Sequence, residues 1–281
     1  MNCHKINLFK YSMIHQDMLL VDVHAHMDLD GYEPYGGADK VIEECAVNGV
    51  KAIICNGVNP ESNRKVLDIC RRHSICKAAL GLYPTHILEY AEQGKEKIIE
   101  DELRFIEDQI KQKKAVAIGE VGLEYKEMKD ITQEQKDMQK KYLGKFLEIS
   151  KEYDMPIILH SRGAELELIE FLEQEGMKNK KVIMHCFSGR KHHIRRIIDN
   201  GWYFSIPCTI LRTEHFQNIV NDSPLQNIFT ETDAPYLSPI IGKTNRPDNV
   251  LLTVKKIAEI KKMDPEEVAN IIYNNYQKIF L

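Results

Sequence analysis

The stretch Leu19-Leu20-Val21-Asp22-Val23-His24-Ala25-His26 joins an apolar run to two histidines that are one residue apart. Short apolar runs rich in β-branched residues are typical of buried β-strands. Successive side chains of a strand point to opposite faces, so His24 and His26 share a face. The stretch therefore predicts a strand that ends in two imidazoles placed to bind one metal ion.

Seven further apolar runs follow, and longer segments with helical periodicity separate them. With the first run, the predicted strands cover residues 19–24, 51–56, 76–82, 115–119, 156–160, 181–185, 201–206 and 227–231. In Gln133–Tyr153, apolar residues recur at steps of three and four, as in a helix that covers a sheet. Two more helices are predicted near Val250–Lys261 and 265–278. Strands that alternate with helices indicate parallel βαβ units. Eight of them favour an α/β protein with a (β/α)8 TIM barrel over an open doubly wound sheet.

The domain organisation follows from length and composition. The chain has 281 residues, and no linker rich in glycine, proline or serine interrupts residues 18–281. An α/β barrel of about 250 residues commonly forms one domain, so we expect 18–281 to be a single (β/α)8 barrel domain. Residues 1–17 are either a poorly ordered N-terminal extension or the product of a misassigned start. They lack the apolar core of a secretory signal.

Charge and cysteine usage limit the classes of partner. The net charge is −4, so the chain has no general attraction for polyanions, and any nucleic acid contact must be local. The seven cysteines are scattered without a Cys-x-x-Cys pair, which predicts reduced thiols in a cytoplasmic protein. No run is long enough for a membrane span, and no feature points to an obligate protein partner.

Titratable side chains follow the apolar runs at the predicted carboxyl ends of five strands. TIM-barrel enzymes carry their chemistry at this face, and a charged group at the edge of a core is costly unless it is paired or bound to metal. We therefore predict a metal centre formed by His24, His26, Glu120, His160, His185 and Asp233.

The types of ligand predict the chemistry of the centre. Four histidines and two carboxylates without a thiolate suit Zn²⁺, Mn²⁺, Co²⁺ or Mg²⁺. Six donors exceed the usual three of one catalytic zinc, so two divalent cations are predicted. Glu120 is the expected bridging ligand, because its strand lies between those that carry the histidines. Asp233 is expected to bind one ion and to accept the proton of the attacking water.

Several other polar residues near the predicted site each have two possible roles. Arg162 either binds a phosphate or forms a salt bridge that holds its loop. The basic run 190–196 is either a solvated helix face, which we favour, or a contact for a nucleic acid backbone. Cys186 lacks a paired base in the sequence and is expected to be a small core residue. Tyr125 and Tyr236 either line the pocket or pack beneath it.

Five ordered motifs resemble those of the TatD family of metal-dependent hydrolases, within the amidohydrolase superfamily. The motifs are Val21-Asp22-Val23-His24-Ala25-His26-Met27-Asp28, Ile118-Gly119-Glu120-Val121-Gly122-Leu123-Glu124-Tyr125, Leu159-His160-Ser161-Arg162, His185-Cys186-Phe187-Ser188-Gly189 and Glu231-Thr232-Asp233-Ala234-Pro235-Tyr236-Leu237. The similarity extends from about Met18 to the C-terminus. The resemblance implies a barrel, a divalent-metal site on the six residues named above, and frequently deoxyribonuclease activity on DNA.

The chain departs from the family pattern at two places. Tyr83 stands where many relatives have a histidine after the third strand, and His86 lies close by in the sequence. Thr244-Asn245-Arg246-Pro247 replaces the usual Arg-Asn-Glu-Pro. With Arg162, we therefore take Tyr83 and His86 as candidate substrate-binding residues.

The sequence leads to three hypotheses of function. The first is a TatD-like deoxyribonuclease that hydrolyses phosphodiester bonds with a water activated by two metal ions, with Asp233 and Glu120 as catalytic residues. The second keeps the metal site and hydrolyses an amide, a lactone or the ester of an aminoacyl-tRNA. The third is a non-catalytic binding protein on a retained barrel, which the complete set of ligands disfavours.

Overall fold

The computed structural model describes residues 18–281, so the prediction for residues 1–17 lies outside the described part of the chain. Eight strands form one parallel sheet whose order in space is the order in the sequence. The strands are β1 (Leu20–Ala25), β2 (Val50–Asn56), β3 (Cys76–Leu80), β4 (Ala117–Glu124), β5 (Ile157–Arg162), β6 (Val182–His185), β7 (Tyr203–Ile206) and β8 (Ile228–Thr230).

Helices connect the strands and cover the outside of the sheet. They are α1 (Ala38–Val47), α2 (Pro60–Arg72), α3 (Pro84–Glu92), α4 (Glu96–Lys111), α5 (Gln133–Tyr153), α6 (Glu165–Gln174), α7 (Lys191–Asp199), α8 (Glu214–Asp222), α9 (Val250–Lys261) and α10 (Pro265–Phe280). Within the part described, no helix is apolar over a length that would cross a membrane. The α5 and α9 bounds agree with the sequence prediction, and α10 extends two residues beyond it.

Contacts between β1 and the segment after β8 bring the two edges of the sheet together. Ala25 and Ala234 form a parallel bridge, and the amide of Asp233 donates to the carbonyl of His24 at 2.8 Å. The buried Asp22 carboxylate accepts hydrogen bonds from the Thr232 amide and hydroxyl. Eight parallel strands in sequential order, with this contact between the first strand and the segment after the last, confirm the predicted (β/α)8 barrel.

The strand β4 differs most from its prediction. The apolar run 115–119 suggested that the strand ends before Glu120, whereas β4 continues to Glu124. Both carboxylates are buried and face other polar side chains at the barrel mouth. A charged residue can therefore continue a strand where it meets partners across the barrel.

Gly122 permits the close approach of β4 and β5. It lies opposite His160 in the register and has a φ of +149°, in a region that favours glycine. A Cβ atom here would lie 2.0 Å from the carbonyl oxygen of His160. The glycine is therefore needed to hold β4, with Glu120, beside the strand that carries His160.

Candidate metal centre

Four strands and the segment that follows β8 bring six polar side chains to the mouth of the barrel. They are the six predicted ligands His24, His26, Glu120, His160, His185 and Asp233, and their ligand atoms form overlapping groups of three within 4.8 Å. His24, His26, Glu120 and His185 are buried, whereas His160 and Asp233 are partly open to the cavity above. The structure thus places the six side chains together, and their role as ligands stays a prediction.

The first donor set includes His24, which lies in β1, and His26, which directly follows β1. The Nε2 atoms of His24 and His26 lie 3.2 Å apart. Oε2 of Glu120 lies 3.5 Å and 3.4 Å from them, and Oδ1 of Asp233 lies 3.6 Å and 3.4 Å from them. Two nitrogens and two oxygens therefore converge on one small volume.

The second donor set faces the other oxygen of Glu120. Nδ1 of His160 lies 2.9 Å from Oε1 of Glu120, and Nε2 of His185 lies 4.0 Å from the same oxygen. The His185 ring also stacks on the His24 ring, with 3.6 Å between centroids. Glu120 consequently stands between two groups of imidazoles and offers a different oxygen to each.

The donor set fits a divalent cation. Nδ1 of His26 donates to the carbonyl of Asn56 at 2.9 Å, so the Nε2 of the neutral ring carries a lone pair. That lone pair points toward carboxylate oxygens, which are also acceptors. Electron pairs that face one another in a buried site repel unless a cation or proton lies between them, and imidazole with carboxylate suits Zn²⁺ and Mn²⁺.

Two further groups fix the orientation of ligand imidazoles. Besides the Asn56 carbonyl, the buried Glu231 accepts a hydrogen bond from Nδ1 of His185 at 2.7 Å. Each contact occupies one ring nitrogen and directs the other toward the centre. No role was assigned to Glu231 from the sequence, although its place at the end of the eighth predicted strand, 227–231, was a usable signal.

Glu124 performs the same task for His160. Nε2 of His160 donates to Oε2 of Glu124 at 2.8 Å, which turns Nδ1 toward Glu120. Glu124 also accepts the backbone amides of Lys126 and Glu127, so its carboxylate is held firmly. Glu124 lies four residues after Glu120, and this spacing places both side chains on one face because β4 extends through both residues.

The electrostatics of the centre keep both proposed carboxylate ligands ionised. Burial alone would raise the pKa of Glu120 and of Asp233, but the surrounding imidazoles hold each pKa below its usual value. Burial and the neighbouring His185 lower the pKa of His24 to about 4. Burial opposes protonation of His160 too, yet Glu120 and Glu124 raise its pKa to about 9.

A cavity of about 580 Å³ opens above these residues, and the three candidate substrate-binding residues line it. The hydroxyl of Tyr83 lies 3.2 Å from Nε2 of His160 and 3.4 Å from Oε2 of Glu124. Nδ1 of His86 donates to the carbonyl of Val58 at 3.0 Å. Arg162 has a 52% exposed side chain and lies 3.3 Å from Glu127, so it both lines the cavity and pairs with a loop carboxylate.

Of the other residues considered in the sequence analysis, Tyr236 lies at the cavity, whereas Tyr125 and Cys186 pack against the core. Tyr236 lines the cavity with 57% of its surface exposed, whereas the Tyr125 hydroxyl is buried and the ring packs under Lys136. Burial raises the pKa of the Cys186 thiol well above its usual range, which keeps it protonated. A thiolate nucleophile at Cys186 is therefore unsupported, as expected from the sequence.

The chain is similar to known proteins both in sequence and in structure. A family model described as TatD related DNase matches residues 21–281. The chain is 30% identical over 266 residues to the uncharacterized metal-dependent hydrolase YabD of Bacillus subtilis, covering 93% of this chain and 99% of that protein. It is also 30% identical over 264 residues to human deoxyribonuclease TATDN3, covering 93% and 94% of the two chains. The crystal structure of YjjV, a TatD homologue from Escherichia coli, superposes with a TM-score of 0.80 at 26% identity and covers 95% of this chain and 99% of that one.

Barrel, donor set and relatives together define the class as a metal-dependent hydrolase with a TIM-barrel fold. Within that class, the match over residues 21–281 shows that the chain belongs to the TatD family. The resemblance noted in the five sequence motifs is thereby confirmed.

Proposed function

We propose that this protein is a deoxyribonuclease that hydrolyses phosphodiester bonds with two divalent metal ions. The observation that carries the proposal is the position of Glu120, whose two oxygens face two separate groups of imidazoles. A carboxylate shared in this way is the usual bridge of two-metal sites, which clamp both the attacking and the leaving oxygen of a phosphoryl centre.

Each donor set would hold one ion. His24, His26, Glu120 and Asp233 supply the first set, and Glu120, His160 and His185 supply the second. When bound, two divalent ions lower the pKa of water toward about 7 and neutralise charge on substrate oxygens. Nitrogen and oxygen donors of this kind are compatible with Zn²⁺, Mn²⁺, Co²⁺ or Mg²⁺.

Asp233 is the proposed acceptor for the proton of the attacking water. Its pKa lies below the usual value, so its carboxylate is ionised at neutral pH. Its side chain is 16% exposed, against 5% for Glu120, and it lines the cavity where a substrate would enter. A positioned, ionised carboxylate with access to water can act as a general base.

The cavity wall offers groups that suit a phosphodiester. Arg162 presents a charged, half-exposed guanidinium, which binds phosphate oxygens in bidentate fashion. The Tyr83 hydroxyl and the second ring nitrogen of His86 are further polar groups on the same wall. One relative is named human deoxyribonuclease TATDN3, and this name supports DNA as the substrate that we propose for the present chain.

The test is a nuclease assay with labelled single- and double-stranded DNA and with Zn²⁺, Mn²⁺, Co²⁺ or Mg²⁺. We expect release of nucleotides, loss of cleavage with EDTA, and a decrease in kcat of about 10²- to 10⁴-fold in Asp233→Asn. Asp154→Asn is the matched control, because Asp154 lies at the exposed C-terminal end of α5, in a left-handed conformation that asparagine accepts.

A panel of dipeptides, lactones and aminoacyl-tRNA tests the alternative bond types in parallel. Turnover of one of these, with no cleavage of DNA under any metal, would overturn the phosphodiester proposal and favour a carbonyl substrate. Stoichiometric metal without turnover of any substrate would favour a binding protein.

A further inference from the structure

Tyr236 lies at the rim of the catalytic cavity with a largely exposed ring. It lines the cavity together with His26 and Asp233, and 57% of its surface is exposed. The ring packs edge to face with the His26 ring, with 6.3 Å between the centroids. No hydrogen bond of its hydroxyl is among the contacts of residues 18–281. Neither core packing nor a hydrogen bond therefore accounts for this aromatic side chain beside a candidate metal ligand.

The backbone that carries Tyr236 is held at several points. The amide of Tyr236 donates to the carbonyl of Asp233 at 2.8 Å, and the amide of Asn245 donates to the carbonyl of Pro235 at 3.0 Å. Asn245 is buried, and its side-chain amide also donates to the carbonyl of Thr232 at 2.7 Å. A ring on a fixed backbone loses little conformational freedom when a ligand binds to it, so it can serve as a preformed binding surface.

The segment 236–241 is apolar and exposed beyond Tyr236 as well. Ile240 and Ile241 are also exposed, so this segment contains three of the six large hydrophobic side chains that are exposed in the described part of the chain. Arg212 donates hydrogen bonds to two backbone carbonyls of the segment, which hold it in place. Exposed apolar side chains that are grouped beside a polar cavity are typical of a binding surface.

Apolar and cationic groups lie on different sides of the catalytic cavity. Tyr236 follows β8, and Leu29, a second apolar lining residue, follows β1, which contacts the segment after β8. Arg162 ends β5, which lies across the mouth from β1 because the eight strands follow one another in sequence order around the barrel. The cavity therefore has a cationic side and an aromatic side, with the candidate metal ligands in its floor.

A nucleotide has the same division of chemistry. Its phosphate carries the charge that metal ions and a guanidinium bind, and its base has a flat aromatic face that stacks on aromatic side chains. The Tyr236 ring is close enough to His26 for one nucleotide to reach both the ring and the metal centre. The cavity volume of about 580 Å³ is in the range that binds small organic molecules.

We propose that Tyr236 is the stacking platform for one nucleobase next to the scissile phosphate. The base lies against the exposed face of the ring, while the phosphate reaches the metal centre and Arg162. This inference rests on the proposed deoxyribonuclease function and adds that the substrate carries a base at one defined position. Every base has a π-face, so Tyr236 contributes to affinity without selecting a sequence.

Tetranucleotides in which one residue at a time is abasic test the platform. With metal-loaded protein, removal of the stacked base should raise KM roughly 5- to 150-fold with little change in kcat, as expected for loss of one base–aromatic stack. Tyr236→Ala should leave the Tm unchanged, because the ring is exposed, and should raise KM for the complete strand by a similar factor. In that variant the abasic residue at the same position should have no further effect, since both changes remove one interaction.

Tyr236→Phe and Ile241→Ala are the controls. Tyr236→Phe keeps the ring and removes only the hydroxyl, so it should retain the KM of the unchanged protein. Ile241 is 82% exposed in the same segment but does not line the catalytic cavity, so Ile241→Ala should also leave KM unchanged.

Two outcomes of these kinetics would overturn the proposal. If KM rises equally in Tyr236→Ala and Ile241→Ala, the segment acts as a general apolar surface. If Tyr236→Ala raises KM equally for the complete strand and for every abasic strand, the ring contacts sugar or phosphate and no base stacks on it.

A fluorescence measurement does not depend on cleavage. The base analogue 2-aminopurine, placed at each position in turn, loses fluorescence when it stacks on an aromatic ring. Rapid mixing with metal-loaded protein should quench one position with the unchanged protein and with Tyr236→Phe, but not with Tyr236→Ala. Quenching that survives in Tyr236→Ala would contradict the platform. Quenching that requires Tyr236 in a protein that never cleaves DNA would refute the proposed function and leave the platform intact, whereas cleavage with a KM indifferent to Tyr236→Ala has the opposite meaning.

Discussion

Nδ1 of His185 lies 2.7 Å from Oε2 of Glu231, and both side chains are buried beneath the metal centre. Glu231 also accepts the hydroxyl of Ser205 and the backbone amide of Cys186. The carboxylate thus has a fixed position and in turn fixes the imidazole, so Nε2 of His185 points toward Glu120 and Asp233.

Replacement of Glu231 should therefore weaken metal binding without removing a ligand. In Glu231→Gln the side chain keeps its size, but the amide cannot hold the imidazole as the carboxylate does. We expect metal affinity to fall about 10- to 100-fold, as is usual for groups that orient a ligand. Metal titration followed by calorimetry measures this loss.

Glu259→Gln serves as the control for loss of one carboxylate, because Glu259 is exposed on α9 and pairs only with Lys256 in the described contacts. Its metal affinity should equal that of the unchanged protein. Undiminished affinity in Glu231→Gln would show that His185 is oriented by the surrounding packing instead.

Metal binding should also stabilise the folded barrel. The converging nitrogens and carboxylates of the centre are assembled only in the folded chain, so ions bind the folded state preferentially. At a metal concentration about 100 times Kd, the free energy of unfolding should rise by about 2.7 kcal/mol. This corresponds to an increase in Tm of roughly 5–10 °C for a domain of this size.

Differential scanning calorimetry with and without EDTA tests this expectation. Glu120→Gln removes a charge from both donor sets and should lose most of the metal-dependent increase in Tm. An increase in Glu120→Gln as large as in the unchanged protein would mean that the stabilising ion binds elsewhere.

The sequence was sufficient to predict the architecture because the periodic signals were strong. Apolar residues recur at steps of three and four in the helix Gln133–Tyr153, and the eight short apolar runs alternate with such helical segments. The six candidate ligands could also be selected, since parallel strands in a barrel all point their carboxyl ends to the same face.

The contacts that orient the ligands could not be predicted in the same way. Glu124 binds His160 across 36 residues, and Glu231 binds His185 across 46. Such pairs depend on the register between strands and on ring orientation, which no local pattern encodes. The extent of β4 was missed for a related reason, because Glu120 and Glu124 are stabilised in the strand by partners from β5.

Gly122 should be intolerant of any side chain. Alanine would bring a Cβ to 2.0 Å from the His160 carbonyl and adopt a φ of +149° that L-residues rarely occupy. We expect Gly122→Ala to destabilise the protein by about 3 kcal/mol or more in urea denaturation. It should also lower metal affinity, since β4 and β5 must separate.

Gly144→Ala is its matched control. Gly144 lies within α5, and a Cβ there meets only the Phe171 ring, at 3.8 Å. Alanine should stabilise this helix by about 0.5–1 kcal/mol. Similar small effects of both substitutions would show that β4 and β5 can adjust without loss.

The pH dependence of stability includes a contribution from Glu173 on α6. Its carboxylate accepts two hydrogen bonds from Arg196 of α7 and one from Asn200, and Arg196 holds the pKa of Glu173 below its usual 4.5. A carboxyl group with a lowered pKa in the folded state stabilises that state above its unfolded pKa. The contribution is lost as the pH falls through the folded pKa.

Glu173→Gln should therefore lower the free energy of unfolding by about 0.5–1 kcal/mol near neutral pH, a modest value because the pair is partly exposed. Below pH 4.5 the difference from the unchanged protein should shrink and then vanish, since both side chains become neutral. Urea denaturation at several pH values measures the difference. A difference that stays constant through this range would mean that the glutamate acts by packing, with no contribution from its charge.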